Sequence, residues 1–100
     1  MRASPVICNN LGLILARQNK PADAAKYFAR AARLDPGYDE GFYTDGVTCV
    51  GLDDLSTAVK AFRRTLDINP DHAHAHNNLG YLLEQQGQVD EARSHYQRAL

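Results

Sequence analysis

Three histidines alternate along one short stretch, His72, His74 and His76, and histidine is the side chain that most readily holds a transition metal or moves a proton near neutral pH. The i, i+4 spacing of His72 and His76 lets two imidazoles share one ion when both lie on one helical face. The run is expected to straddle a helix start, with His72 in the preceding turn, His76 on an apolar stripe and His74 on the open side. No cysteine or carboxylate triad completes a coordination set, so neither a metal nor a cofactor is expected. Protonation at about pH 6.5 leaves the stretch a candidate pH-sensitive region. Asp45 places a carboxylate on an otherwise packed stripe, where an unpaired charge is costly, and is expected to have a salt-bridge partner or local access to solvent. Cys8 and Cys49 are far apart, lack a Cys-x-x-Cys neighbour and fall on apolar stripes, which reads as two buried thiols. No nucleophile–base set and no phosphate-cradling glycine loop can be assembled, so the chain is not expected to be an enzyme by itself.

The elements that position these groups repeat. Pro36 and Pro70 are 34 residues apart, and the rest of the chain falls into the same register. The first unit places Cys8, Leu11, Gly12 and Leu15, then Ala24, Phe28, Ala31 and Pro36. The second places Phe42, Asp45, Gly46 and Cys49, then Ala58, Phe62, Thr65 and Pro70. The third places His76, Leu79, Gly80 and Leu83, then Ala92, Tyr96 and Ala99. Within each unit the spacings are those of two amphipathic helices. Gly12, Gly46 and Gly80 sit mid-helix, where glycine costs up to ~1 kcal/mol against alanine, so close approach of the second helix, with small Ala24, Ala58 and Ala92 opposite, is the expected compensation.

Asn19, Asp53 and Gly87 recur where each hairpin turns and suit a left-handed residue closing a helix. Pro21 suits a first helical turn, and Ser56 and Asp90 are expected to be N-caps. Asp35-Pro36-Gly37 and Asn69-Pro70-Asp71 read as turns between units. The arrangement predicts an all-α, single-domain chain over residues 1–100, with units at 5–38, 39–72 and 73–100.

Leu-Gly pairs on one helix, then Ala, an aromatic, Ala and a closing Pro around the next, resemble the tetratricopeptide repeat family over nearly the whole chain. The resemblance implies a right-handed α-solenoid of three helix-turn-helix hairpins whose first helices line a concave groove. It also implies a protein-interaction scaffold holding an extended peptide or partner helix, with the repeat region of a larger enzyme such as a glycosyltransferase, or a self-assembling array, as alternatives. The expected groove surface is Asn9, Asn10, Leu13 and Arg17 in the first unit, Tyr43, Thr44 and Val47 in the second, and His74, Asn77, Asn78, Tyr81 and Gln85 in the third. Asn10 and Asn78 look like rungs of the asparagine ladder of O-linked N-acetylglucosamine transferases, with Thr44 breaking the series. The cations of the carboxylate clamp found in chaperone adaptors are missing from Asn9, Leu13, Thr44, His74 and Asn78, which disfavours that role.

Eleven basic against twelve acidic residues leave a net charge of -1, so nucleic acid is not an expected partner. At 44% hydrophobic and 23% charged, with no apolar run near the roughly 20 residues that cross a bilayer, a soluble and cytoplasmic protein without membrane insertion is expected. The third unit stops inside its second helix with no capping helix. This predicts an apolar C-terminal end, either cut from a longer array or covered by self-association.

Overall fold

The computed structural model describes residues 4–100. Six α-helices follow one another without a strand among the described residues: α1 (Pro5–Arg17), α2 (Pro21–Leu34), α3 (Asp39–Gly51), α4 (Leu55–Ile68), α5 (Ala73–Gln85) and α6 (Val89–Ala99). Successive helices pack as hairpins, α1 with α2, α3 with α4 and α5 with α6, and each hairpin stacks on the next through α2 on α3 and α4 on α5. The stack is elongated, 47 × 25 × 19 Å, as expected of an all-α solenoid in which each hairpin meets only its neighbours.

Every hairpin turn is closed in the same way. Asn19, Asp53 and Gly87 have φ of 61°, 61° and 82°, the left-handed conformation. The amide after each reaches back into the helix, Lys20 to Leu15, Asp54 to Cys49 and Gln88 to Leu83, all at 2.9 Å. The left-handed residue itself donates to Ala16, Val50 or Glu84, completing a Schellman motif. Between units, the side chains of Asp35 and Asn69 accept from the amides of Gly37 (3.0 Å) and Asp71 (3.2 Å), folding the chain around the prolines.

The helix starts differ from expectation. Because α4 begins directly after left-handed Asp53, its cap is Asp54, whose carboxylate accepts from Thr57 N, and Ser56 is already inside the helix. Gln88 caps α6 without a side-chain bond, which leaves Asp90 in the first turn, where its charge complements the helix dipole. Ser4 caps α1, and Pro5 and Pro21 occupy first-turn positions.

The mid-helix glycines answer to aromatic rings more than to the alanines opposite. A Cβ on Gly12 would overlap the Phe28 ring, one on Gly46 would lie 2.7 Å from Phe62, and one on Gly80 would lie 2.9 Å from Tyr96 and 3.2 Å from the Ala92 carbonyl. Removing the side chain lets each ring press against the facing helix, with Ala24, Ala58 and Ala92 buried beside it. A hydrophobic core forms where the second and third hairpins meet, from Cys49, Ala58, Phe62, Ala75, Leu79, Leu82, Leu83 and Ala92.

One register position shows how much depends on stacking. Leu79 is fully buried beneath α4, while its equivalent Leu11 is 42% exposed, because among the described residues no helix lies against that side of α1. Val6, Ile7 and Ile14 are exposed on the same helix. Exposed aliphatic surface therefore gathers on α1, not at the C-terminal end as expected: on α6 and beyond it only Val89 and Leu100 are exposed large hydrophobics, and the outward positions of that helix are otherwise polar.

Adding a methyl group at Gly46 is expected to destabilise the fold by roughly 1–3 kcal/mol through overlap with Phe62. Gly51→Ala, at a site with no neighbouring atom within 4 Å, is expected to gain up to ~1 kcal/mol from helix propensity. Urea unfolding of the two variants beside the parent chain distinguishes steric exclusion from propensity.

Candidate functional site

The first helices α1, α3 and α5 lie side by side, and their facing polar side chains are largely spent on one another. The Thr44 hydroxyl donates to Asn9 Oδ1 at 2.6 Å and lies 2.8 Å from the Glu40 carbonyl, and both Asn9 and Thr44 are buried. Asn78 Nδ2 donates to the Tyr43 hydroxyl at 3.4 Å in the same relation one unit later. Both bonds join a residue to the one 35 positions further along the chain. Asn9 and Thr44, expected on the groove surface, are thus consumed in joining α1 to α3. A buried amide needs a partner, and the neighbouring hydroxyl supplies it more cheaply than a ligand would.

Between α3 and α5 the surface opens into a pocket of about 270 Å³ lined by Val47, Val50, Asn77, Asn78, Tyr81, Leu82 and Tyr96. Four of the expected groove residues meet here: Val47, Asn77, Asn78 and Tyr81. Tyr81 is 56% exposed. Tyr96 reaches the pocket from α6, and its hydroxyl donates to Glu84 Oε1 at 2.9 Å. Among the described residues no charged side chain lines the cavity. His74 lines an adjoining depression with Ala73, Asn77, Tyr96, Ala99 and Leu100. Asn10 and Arg17 are exposed and Leu13 half-buried on α1, away from the pocket, and Gln85 is exposed at the end of α5. Sequence reasoning missed Val50, Leu82 and Tyr96 as pocket residues. Val50 follows Val47 by three residues on the same helix face, which was a legible signal. Tyr96 holds the register position of Phe28 and Phe62, yet its larger polar ring is only half-buried where theirs are fully buried.

The groups that suggested chemistry take structural roles. His72 caps α5: its Nδ1 accepts from Ala75 N at 3.1 Å, which puts the ring proton on Nε2, 2.7 Å from Glu40 Oε1. Asp39 stands close to this pair and accepts from Asn69 Nδ2 at 3.1 Å. A cation on His72 Nε2 would require moving that proton to Nδ1 and breaking the cap, so this cluster is explained as a hydrogen-bonded helix start. His74 is exposed and His76 is buried. Cys8 and Cys49 are buried free thiols, and burial, followed by the charges of Asp45 and Asp54, pushes Cys49 up to about 11, far from thiolate reactivity.

Asp45 has no salt-bridge partner among the described residues and takes the other expected course, partial access to solvent. Its carboxyl is held above the ordinary value by burial first and by Asp54 second, while partial solvent access makes the charge tolerable.

A tetratricopeptide repeat model matches residues 50–100, and another of the same description matches 5–38. The chain belongs to the tetratricopeptide repeat family. It is similar to Tetratricopeptide repeat protein 8 of Caenorhabditis elegans, 34% identical over 96 residues, covering 94% of this chain and 19% of that protein. It is also similar to the UDP-N-acetylglucosamine--peptide N-acetylglucosaminyltransferase of Giardia intestinalis, 33% identical over 75 residues, 75% of this chain and 5% of that one. Among solved structures, the crystal structure of MamA superposes with a TM-score of 0.92 at 24% identity, over 96% of this chain and 56% of that one, a likeness of fold. The chain spans less than a fifth of the length of these two curated relatives. As a tetratricopeptide repeat array it is a protein-interaction scaffold, and repeats of this family are generally non-catalytic. No helix among the described residues is long and apolar enough to cross a membrane.

Because the folded state raises the Asp45 carboxyl, ionised Asp45 costs stability at neutral pH. Asp45→Asn is therefore expected to raise the melting temperature at pH 7 by a few degrees. The gain shrinks as pH falls through the raised folded value and vanishes below the ordinary 3.8, where both states of the parent chain are protonated. Thermal melts of both chains across acid pH check this.

Proposed function

We propose that this array binds an extended, uncharged segment of a partner protein along the trough between its first helices, with one apolar or aromatic side chain of that segment seated in the pocket between α3 and α5. The observation that carries the reading is the lining of that pocket: aliphatic walls from Val47, Val50 and Leu82, two tyrosine rings, and the amides of Asn77 and Asn78 at the rim. Aliphatic and aromatic walls reward burial of an apolar group. Asn77 and Asn78 each offer a donor and an acceptor, which suits the peptide groups on either side of an anchored residue irrespective of sequence. Tyr81 is the central anchor, since a rigid exposed aromatic gives contact area at small entropic cost. Asn10 and Tyr43 extend the same trough toward α1, the former exposed and the latter half-buried against Asn78.

A second reading, that the array is the repeat region of a larger enzyme, draws on the similarity to the Giardia intestinalis transferase. In that case the groove would hold substrate protein for a catalytic domain elsewhere in the polypeptide. Both readings place recognition on the same surface.

Selection from a proteome-wide peptide library is expected to enrich segments sharing one apolar or aromatic residue flanked by uncharged positions. Tyr81→Ala should weaken the enriched peptides about tenfold or more, whereas Lys26→Ala on the outer helix α2 should leave them unchanged. Equal binding by the Tyr81 variant, or enrichment of acidic or basic peptides only, would remove the groove reading.

A further inference from the structure

His76 and His95 face each other across the junction of α5 and α6 with their Nδ1 atoms 2.9 Å apart. His76 is buried, and its Nε2 lies 2.7 Å from the Pro70 carbonyl in the turn between α4 and α5. A carbonyl oxygen only accepts, so His76 Nε2 carries its hydrogen. His95 Nε2 lies 3.2 Å from Glu91 Oε2. The Arg63 guanidinium, bonded to Glu91 at 2.9 and 3.4 Å, holds that carboxyl below its ordinary value and keeps it an acceptor. His95 Nε2 therefore carries a hydrogen as well.

Two neutral rings with both Nε2 positions occupied would point lone pairs at each other from their Nδ1 atoms. At 2.9 Å that contact is attractive only when a hydrogen lies between the nitrogens. We propose that His76 and His95 together hold one extra proton, forming a cationic relay from the Glu91 carboxylate through both rings to the Pro70 carbonyl that latches α6 to α5 and to the preceding turn. The singly protonated pair satisfies all three contacts, the neutral pair must give one up, and a second proton would set two cations against each other.

The surroundings admit this charge. From α4, Arg63 and Asp67 face the pair; from α6, Glu91 and Arg98 do, with Leu66 and Leu79 as walls. Two positive and two negative side chains leave no net charge to repel an added proton. His72, one turn before His76, is engaged with Glu40 instead. The positions equivalent to His76 and His95 are Phe42 and Ala61 in the second unit and Cys8 and Tyr27 in the first, so the relay is a property of the third hairpin alone.

The arrangement also orients both rings in the way that serves a metal on Nδ1, since each Nε2 hydrogen is held by an oxygen. The separation is that of a hydrogen bond, and the proton is the occupant proposed. The full chain, labelled with ¹⁵N, tests it through long-range imidazole correlations at about pH 6.5, the ordinary midpoint of histidine. Expected are two protonated nitrogens on His95, an unprotonated Nδ1 on His76, and a coupling between the two Nδ1 atoms across the hydrogen bond. Raising the pH until the extra proton is lost should abolish the coupling and, after correction for intrinsic rates, speed amide exchange in α6 on the order of tenfold. His95→Gln, which keeps a neutral donor but cannot titrate, should remove that response while remaining helical. Unprotonated Nδ1 atoms on both rings without coupling at every pH, an unchanged response in the glutamine variant, or stoichiometric Zn²⁺ binding at neutral pH would each overturn the proposal.

Discussion

Everything in this array depends on the missing side chain at Gly12, Gly46 and Gly80. Each admits an aromatic ring from the second helix to distances that a Cβ would forbid, and this contact sets how closely the two helices of a hairpin approach. Glycine is unfavourable in a helix, so the position must recover its cost from packing. It does so by letting Phe28, Phe62 and Tyr96 cover the facing helix, with Ala24, Ala58 and Ala92 buried alongside. Once that spacing is set, the left-handed turn residues and the proline turns have only one geometry to close.

The fold was legible because its constraints are local and repeated. Asn19, Asp53 and Gly87 announce their conformation by residue type, and the prolines mark the ends of second helices. The caps were less legible, since Ser56 and Asp90 are good cap residues by type while the left-handed residue before each helix decides where it starts. Burial was legible only in the pattern and not in its degree: Leu11 and Leu79 hold the same register position but differ in whether a helix covers them. Asp45 shows the opposite case, a charge that the pattern forbids and that the structure accommodates by partial exposure, with no salt-bridge partner among the described residues.

Of the residues expected on the groove, Val47, Asn77, Asn78 and Tyr81 line one pocket, whereas Asn9 and Thr44 are buried and bonded to each other. Nothing in a stripe analysis reveals that pairing, because it joins two helices at positions that are not repeat equivalents. The His76 contact was hidden for a related reason. Its partner His95 lies in the next helix at a site occupied by alanine and tyrosine in the other units, across the hairpin from the run of neighbouring histidines and outside any repeating pattern.

The repeat has a period of 34, yet the hydrogen bonds between first helices step by 35. Touching residues and equivalent residues therefore differ by one place at every junction, like two scales of a vernier. One place on an α-helix is about 1.5 Å of rise and a little over a quarter of a turn. Thr44 therefore bonds to α1 and Asn78 to α3, each to the place next to its own repeat equivalent, while Asn10 on the first helix is exposed. A guest lying along this trough would cross a closed seam at each junction, where two side chains already hold each other, and would find open groups only between the seams.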